Sequence, residues 1–258
     1  MMLQIQIFDK EKKLLGTSGN SGDGVALVYI PTYRSGDHIL LTVDEDGLYD
    51  IQLDEALGKH TVYIKGSATY EIPIEEEKRT CFPTQAFSGN KHLLTLAKSG
   101  IQGFYRNLAI NPYDNHHTLG MFPHATANVE TRNEMQFAAR NAIDGVLENR
   151  DHGKYPYTSW GINQDPKAEL TVEFGRPVTV DLVRITLRAD WPHDSWWKEA
   201  TLTFNDGETL VCTLKKDALP QSFPMREKTI TSIKIGNLIK GDDALFPALT
   251  QVEVFGRD

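Results

Sequence analysis

The chain has few cysteines and contains no long apolar run. Cys81 and Cys212 lie in different halves of the sequence, so they do not imply a disulfide framework, and we expect two buried free thiols. Nowhere do 18 apolar residues follow one another, which excludes an ordinary transmembrane helix. Met1 leads directly into a strand-like pattern without the basic and apolar segments of a leader, and from this we expect a cytoplasmic protein.

Basic residues are fewer than acidic residues. There are 27 lysines and arginines against 35 aspartates and glutamates, which gives a formal net charge of −8. The sequence shows no basic stripe that would neutralise nucleic-acid phosphates. We therefore expect neither a nucleic-acid nor a membrane partner.

Motifs that carry common catalytic chemistry are also missing. The sequence has no HExxH, no Gly-x-Ser-x-Gly, no Cys/His zinc spacing and no glycine-rich phosphate loop. The histidines of the C-terminal half include His116-His117 and His193-Asp194, which could in principle serve as metal ligands or as an acid/base pair. No motif in the sequence indicates that these histidines bind a metal or transfer protons, and we expect no catalytic residues.

What the sequence does contain is a series of short strand patterns. Between residues 3 and 97, seven runs mostly alternate apolar and polar residues, as expected of strands with one buried face. They are LQIQIFD, VALVYI, HILLTVD, LYDIQLD, HTVYIKG, TYEIPI and KHLLTLA. Turn-forming clusters such as GTSGNSGDG separate them. The pattern predicts an N-terminal β-sandwich over residues 1–100.

A second set of strands follows residue 107. A loop-like stretch rich in Asn, Pro and His comes first, and Met135, Ala138 and Ala142 then have the spacing of one short helix ending at Gly145. From residue 168 six more strand patterns run to the C-terminus. The predicted fold class is therefore all-β, with two β-sandwich domains at 1–100 and 107–258.

Five segments of the second domain, in this order, resemble the discoidin family, also called the coagulation factor V/VIII type C domain. They are NLA at 107–109, AIDG at 142–145, SW at 159–160, AELTVEFGRPVTVDLVRITLR at 168–188 and TQVEVFGRD at 250–258. The resemblance implies a galactose-binding-like jelly roll and a carbohydrate ligand bound without catalysis. The N-terminal domain resembles the same fold more weakly.

The densest unusual stretch lies between two predicted strands at residues 188–197. It contains Arg188, Asp190, Trp191, His193 and Trp196. Aromatic faces stack on sugar rings, while Arg, Asp and His make directional hydrogen bonds to hydroxyl groups. We predict a sugar-binding loop here; alternatively, the tryptophans pack beneath the loop and Arg188 pairs with Asp190 or Asp194.

Other loops are expected to complete this pocket. The resemblance brings Trp160 and Asn163 to the same end of the fold, together with Phe246 from the last loop. Trp160 could equally close the core. The insertion that contains His152 and Tyr155 is predicted to form a further wall, with the tyrosine as a stacking platform.

The resemblance also implies a structural calcium ion beside the Asp-Gly turn. Asp144, Ser159 and Glu253 match the positions of its side-chain ligands, and their hard oxygen atoms suit calcium. The insertion at 146–158 departs from the family pattern. Arg150 or Lys154 could supply a protein cation in place of the ion.

Three functions remain open at this point. The first is a lectin-like protein that binds a carbohydrate or another small polar ligand. The second is an intracellular protein-interaction or scaffolding module, with a protein partner or a homo-oligomer, because glycans are mostly found outside cells. The third is a saccharide-acting hydrolase or lyase, for which paired carboxylates would be needed.

Overall fold

The computed structural model describes residues 2–189 and 195–258, and its architecture is all-β, as the sequence predicts. Two eight-stranded sheets, antiparallel in every pairing, are formed. The first is built mainly from the N-terminal hundred residues and the second mainly from the rest. Within the described residues no helix is long and apolar enough to cross a membrane.

The first sheet has the strand order β2-β1-β4-β6-β5-β7-β3, with β9 paired to β6. Its strands are β1 (Gln4–Phe8), β2 (Leu14–Thr17), β3 (Gly24–Tyr29), β4 (His38–Thr42), β5 (Gly47–Gln52), β6 (His60–Glu71), β7 (His92–Lys98) and β9 (Leu119–Phe122). Strand β1 also contacts β3 and β7, which belong to the opposite end of this order. The sheet therefore curls around its own apolar core.

Two predicted strands of this sheet form one strand in the structure. HTVYIKG and the first three residues of TYEIPI both belong to β6, which turns at Gly66, where φ is +72°. Residues 60–64 pair with β5, whereas residues 67–71 pair with β4. The glycine is needed because a left-handed backbone conformation is costly for other residues.

The second sheet has the order β11-β16-β12-β15-β13-β14, with β10 paired to β12 and β8 to β16. Its strands are β8 (Arg106–Asn107), β10 (His124–Ala127), β11 (Trp160–Gly161), β12 (Leu170–Leu187), β13 (Trp197–Phe204), β14 (Thr209–Thr213), β15 (Gln221–Lys240) and β16 (Ala248–Arg257). The start of β12 lies between β10 and β15, and its later part lies between β16 and β15. Long strands of this kind carry the chain through both layers of the jelly roll.

The alternation predicted for β12 is confirmed. Leu170, Val172 and Phe174 are fully buried, whereas Thr171 and Glu173 on the other face are not. The buried side chains pack with Trp160 and Trp197 in the core of the second sheet. Burial of apolar area at about 25 cal/mol per Å² is the main stabilising term for such a core.

The predicted short helix at 135–145 is replaced by 3-10 turns. Elements η1 (Thr131–Asn133), η2 (Met135–Phe137) and η3 (Ala139–Ile143) follow one another, and α1 (Glu76–Arg79) is the α-helix of the described residues. Ala138 is extended, with ψ at 156°, so the chain cannot continue as one helix. The prediction of one short helix was therefore wrong, because the segment forms separate 3-10 turns.

The two sheets are joined by more than a linker. Strand β8 already pairs with β16, yet the chain then returns, and β9 pairs with β6 of the first sheet. Tyr113 and Met121 are buried in the core of the first sheet although they follow β8. Gly120 lies against β6, and a Cβ atom there would lie 2.1 Å from the carbonyl oxygen of Ser67.

Both cysteines are buried and unpaired, as expected. Burial raises the pKa of Cys81 to about 11 and that of Cys212 to about 12. Because the thiolate is the reactive form, neither side chain is a nucleophile near neutral pH.

Candidate functional site

A cleft of about 280 Å³ opens at one end of the second sheet, where β11 meets the start of β16. The register pairs Trp160 with Leu249 and Gly161 with Ala248. This pairing places the loop after β11 beside the loop before β16. The cleft is lined by Thr131, Arg132, Phe137, His152, Gly161, Ile162, Asn163, Gln164, Arg188, Phe246, Pro247 and Ala248.

Close packing forms the floor of the cleft. A Cβ atom at position 161 would lie 2.6 Å from the Thr131 hydroxyl, so this position requires glycine. The same hydroxyl oxygen accepts a hydrogen bond from the Asn163 backbone N–H at 2.9 Å. Ile162 is buried beside them. The buried Thr131 hydroxyl therefore fixes the backbone of the floor at Gly161 and Asn163.

Arg188 immediately follows β12 and points its guanidinium towards the cleft. The residue is 4% exposed, and its Nη2 donates a hydrogen bond to the carbonyl oxygen of Phe246 at 3.2 Å. Its backbone N–H donates to the carbonyl oxygen of Ala248 at 3.1 Å. Arg188 thus positions the last loop and supplies planar N–H donors at the cleft wall.

Two aromatic rings line the cleft in different ways. Phe246 is 47% exposed at the mouth, whereas Phe137 is buried and has the Arg132 guanidinium 5.3 Å from its ring centre. Arg132 is also held by two hydrogen bonds to the Glu134 carboxylate, at 2.7 and 2.8 Å. Phe246 is therefore the ring whose surface is available to a bound molecule.

Three residues of the cleft wall have a left-handed backbone although none is glycine. The φ angles are +54° at Arg132, +48° at Asn163 and +61° at Gln164. Such conformations cost of order 1–3 kcal/mol each and occur preferentially at functional sites. The side chains of all three residues are exposed at the cleft. The fold holds these three polar groups in place at an energetic cost.

The structure brings four of the predicted site residues together. Arg188, Asn163, His152 and Phe246 come from four separate segments and line one cleft. His152 also has its Nδ1 3.5 Å from the Asp151 carboxylate. The predicted residues Asp190, Trp191 and His193 lie outside the described residues.

Two predicted tryptophans lie elsewhere. Trp160 is completely buried, tilts against Trp197 and donates its indole N–H to the carbonyl oxygen of Val129 at 3.0 Å. Trp196 is half-buried and packs on Gly241, where a Cβ atom would lie 2.1 Å from its ring. Both rings fill the fold and neither lines the cleft, which corrects their placement as ligand-binding residues.

Tyr155 also lies elsewhere. Its backbone N–H donates to the carbonyl oxygen of Thr80 at 2.8 Å, and its ring lines a separate, open groove with Arg79 and Phe82. The insertion at 146–158 therefore contacts the segment that follows α1, which lies in the N-terminal half of the chain. For this reason Tyr155 cannot form the predicted wall of the cleft.

The sequence did not predict several residues that line the cleft. Three of them have large side chains: Arg132, Phe137 and Gln164. No local motif marks them. Their proximity depends on the 3-10 turns of η1 and η2, which bring residues 131–137 against β11. A run of residues with left-handed backbone could not be read from side-chain type, because Arg and Gln seldom adopt it.

The predicted calcium ligands are arranged differently from the expectation. Asp144 is buried, and its Oδ1 accepts hydrogen bonds from Gln251 at 2.6 Å and from the backbone N–H of Val146 at 2.8 Å. Its Oδ2 accepts from the Thr158 hydroxyl at 3.3 Å and lies 3.6 Å from the Arg140 guanidinium. Burial raises the pKa of Asp144 to about 6, against the opposing charge of Arg140.

Neither Ser159 nor Glu253 makes a side-chain hydrogen bond to this carboxylate. The Ser159 hydroxyl and Oε2 of Glu253 are both buried without a hydrogen-bond partner among the described residues, and Glu253 lies on β16 opposite Arg184. The groups around Asp144 are N–H and O–H donors and a guanidinium, whereas calcium takes six to eight oxygen ligands. This set does not fit a calcium ion.

The protein cation beside Asp144 is Arg140. Arg150, suggested for this place by the sequence, has its side chain 88% exposed near Glu148, and Lys154 lies near Glu76. Gln251, which sequence reasoning missed, bridges the Asp144 carboxylate and the carbonyl oxygen of Asn141, at 2.6 Å from each.

Comparisons with known proteins give similarity at the level of structure. In sequence, no protein-family model and no curated protein matches the chain. Chitosan-binding module 1 of a chitosanase/glucanase from Paenibacillus sp. IK-5 is 18% identical, with 58% of this chain and 98% of the module covered and a TM-score of 0.43. The family 32 CBM of C. perfringens NanJ, solved in complex with galactose, is 21% identical, with 51% and 91% covered and a TM-score of 0.40.

A Streptococcus pneumoniae fucose binding module is similar to the same degree. It is 19% identical, with 58% of this chain and 95% of the module covered, and the TM-score is 0.41. All three modules are matched over nearly their whole length by roughly half of the present chain. The TM-scores lie below 0.5.

Proposed function

We propose that this protein binds a carbohydrate without catalysis, and that the cleft beside Arg188 and Phe246 holds one sugar ring. The observation that carries this proposal is the combination of a half-exposed aromatic ring and a buried guanidinium at one small cleft. An aromatic face covers the C–H side of a pyranose, and a planar fork of N–H donors addresses its hydroxyl oxygens.

The size of the cleft favours a small ligand. Sites for drug-sized molecules usually measure about 300–1,000 Å³. At about 280 Å³ the cleft lies just below that range, which suits a monosaccharide or the end of a longer chain. Ile162, Pro247 and Ala248 provide apolar surface, and the exposed amides of Asn163 and Gln164 provide donors and acceptors for hydroxyl groups.

The composition of the cleft supports binding without hydrolysis. Glycoside hydrolysis generally requires two carboxyl groups on either side of the scissile bond. Among the described residues that line the cleft there is no aspartate or glutamate. The nearby Glu134 carboxylate is engaged with Arg132. A bound sugar would be held here by stacking and hydrogen bonds.

Isothermal titration with a panel of simple sugars tests this proposal. The panel contains galactose, fucose, mannose, glucose, N-acetylglucosamine and glucuronic acid. We expect saturable one-to-one binding of at least one sugar. Phe246→Ala should weaken it at least about tenfold, or about 1.4 kcal/mol, because the stacking surface is lost.

Phe104→Ala serves as the matched control for this experiment. Phe104 is 65% exposed and lies outside the cleft, so its removal should change neither binding nor the melting temperature. Absence of binding across the whole panel, or equal binding by the Phe246→Ala and Phe104→Ala variants, would contradict the proposal.

A further inference from the structure

A second chemical cluster lies in the first sheet, remote in sequence from the cleft. Asp54 follows β5, Glu55 comes next, and His92 begins β7. One carboxylate oxygen from each acid and one imidazole nitrogen lie within 4.8 Å of one another. Asp54 and His92 are buried, whereas Glu55 is exposed. The cluster is therefore reached from solvent on the side of Glu55.

The hydrogen bonds of His92 orient its ring. Nε2 lies 3.2 Å from the carbonyl oxygen of Gly89, and because a carbonyl oxygen can only accept, Nε2 carries the hydrogen of this bond. Nδ1 is the nitrogen left for a metal, and it faces Oδ2 of Asp54 at 4.0 Å, too far for a hydrogen bond. A hydrogen bond donated by the other ring nitrogen to a backbone carbonyl oxygen is the arrangement that usually orients a metal-bound histidine.

Backbone N–H groups hold both carboxylates in place. Asp54 accepts from Ala56 and Phe87, each at 2.8 Å, and Glu55 accepts from Leu93 at 2.9 Å. No lysine or arginine of the described residues lies within 4.0 Å of either carboxylate. Among the described residues, therefore, no lysine or arginine is paired with these two carboxyl groups.

A buried phenol provides an independent observation. Tyr33 is 3% exposed and stacks on the His92 ring at 4.1 Å, and its hydroxyl has no hydrogen-bond partner among the described residues. Burial raises the pKa of Tyr33, and the charges of Asp54 and Glu55 add to this effect. A buried and unsatisfied polar group of this kind indicates a missing partner.

We propose that Asp54, Glu55 and His92 bind a divalent transition-metal ion. Zinc–ligand bonds are about 2.0–2.2 Å long, so two ligand atoms of a tetrahedral site lie about 3.3–3.6 Å apart. Metal binding would therefore draw the Asp54 and His92 atoms, 4.0 Å apart, slightly closer together, and the exposed Glu55 side chain would approach them by exchanging its hydrogen bond to Leu93 for the metal. Three protein ligands leave a fourth position open, and Tyr33 packs beside the His92 ligand.

The ligand types select the class of metal. Imidazole suits zinc, copper, iron and nickel, whereas sites for magnesium and calcium are built from oxygen atoms alone. We therefore expect zinc to bind and neither magnesium nor calcium to displace it. This site is independent of the sugar cleft, since it shares no residue with it.

Titration of the dialysed 258-residue chain with zinc chloride tests the proposal. We expect one equivalent to bind, unaffected by an excess of magnesium. Glu55→Gln should weaken it at least about tenfold, and His92→Gln should abolish it. Glu77→Gln, which changes an exposed carboxylate elsewhere, should leave it unchanged. Cobalt should give a visible absorption band in the wild type that the His92→Gln variant lacks.

The outcome that overturns the proposal is equally clear. Zinc uptake that is the same in the wild type and in the Glu55→Gln variant would place the ion elsewhere, for instance at His116 and His117. Absence of uptake by the wild type would also overturn it. Because Glu55 is exposed, its variant decides the question even if His92→Gln does not fold.

Discussion

Arg140 and Arg188 are both buried arginines of the C-terminal half, yet they serve different regions. Arg140 is 2% exposed and Arg188 is 4% exposed, so burial does not distinguish them. The difference lies in where their N–H groups point. The guanidinium of Arg140 is surrounded by protein carbonyl groups, whereas that of Arg188 forms part of the wall of an open cleft.

The contacts of Arg140 join the two sheets. Its Nε donates to the carbonyl oxygen of Asp114 at 2.8 Å, Nη1 to that of Cys81 at 3.1 Å and Nη2 to that of Pro112 at 2.8 Å. Its guanidinium also lies 4.6 Å from the ring centre of Phe82. Cys81 and Phe82 belong to the first sheet's core, so one side chain satisfies backbone groups from both halves.

This comparison teaches that the role of a buried arginine is set by its partners. A guanidinium that is enclosed by protein acceptors, as in Arg140, can only stabilise the fold. When the guanidinium also faces a cleft, the same residue type can address a ligand. The predictions that follow test this distinction, beginning with the largest expected effect.

Replacing Arg140 by methionine should destabilise the protein most. The change leaves three carbonyl groups and the Asp144 carboxylate without their buried partner, and the expected loss in the free energy of unfolding is about 3–5 kcal/mol. Denaturation by urea measures it. Arg150→Met is the matched control, because that side chain is 88% exposed and should cost almost nothing. A loss below about 1 kcal/mol for Arg140→Met would show that Arg140 does not stabilise the fold as proposed.

Replacing Arg188 by lysine should affect ligand binding more than stability. Lysine keeps the charge but loses the planar fork of donors, so sugar affinity should fall about tenfold or more. The free energy of unfolding should fall by less than in Arg140→Met, because lysine keeps a positive charge and N–H donors at this position. If the loss instead equals that of Arg140→Met, Arg188 is a structural residue and the comparison fails.

His124 allows the junction between the sheets to be tested by pH. Burial opposes the charged form of the ring, but a 2.6 Å hydrogen bond to Asp114 and its charge outweigh this effect and raise the pKa of His124. The stabilisation is complete below the unfolded-state pKa of about 6.5 and is lost as the pH rises through the higher folded-state value.

Replacing His124 by glutamine should therefore cost more stability near pH 5.5 than near pH 8.5. The expected difference is about 1–2 kcal/mol, typical of a hydrogen bond to a charged group. Urea denaturation of both proteins at the two pH values measures it. His117→Gln, whose side chain is 64% exposed, should show no such dependence. A larger loss at the higher pH would show that the neutral ring is the stabilising form.

The smallest expected effect concerns calcium. Because Asp144 is already engaged by Gln251, Val146, Thr158 and Arg140, adding millimolar calcium to the dialysed protein should leave the melting temperature unchanged within about 1 °C. Differential scanning fluorimetry checks this. A calcium-dependent rise that Asp144→Asn abolishes would show that an ion binds at this carboxylate after all.

The sequence by itself determined the all-β class and the alternation of buried side chains. Leu170, Val172 and Phe174 could be assigned to one face because successive residues of a strand point to opposite sides. It also singled out Arg188, Asn163, His152 and Phe246, since polar and aromatic residues on loops are seldom kept without a contact to make.

The tertiary structure decided which of the candidate residues meet. Trp160 and Tyr155 have the same chemistry as ligand-binding aromatics, but one is buried in the core and the other docks beside Thr80. The pairing of β11 with β16 decides that the loops at 161–164 and 246–248 share a cleft. Strand pairing over such sequence distances depends on the packing of the whole core, which no local pattern encodes, and the same packing gives Arg140 and Arg188 their different partners.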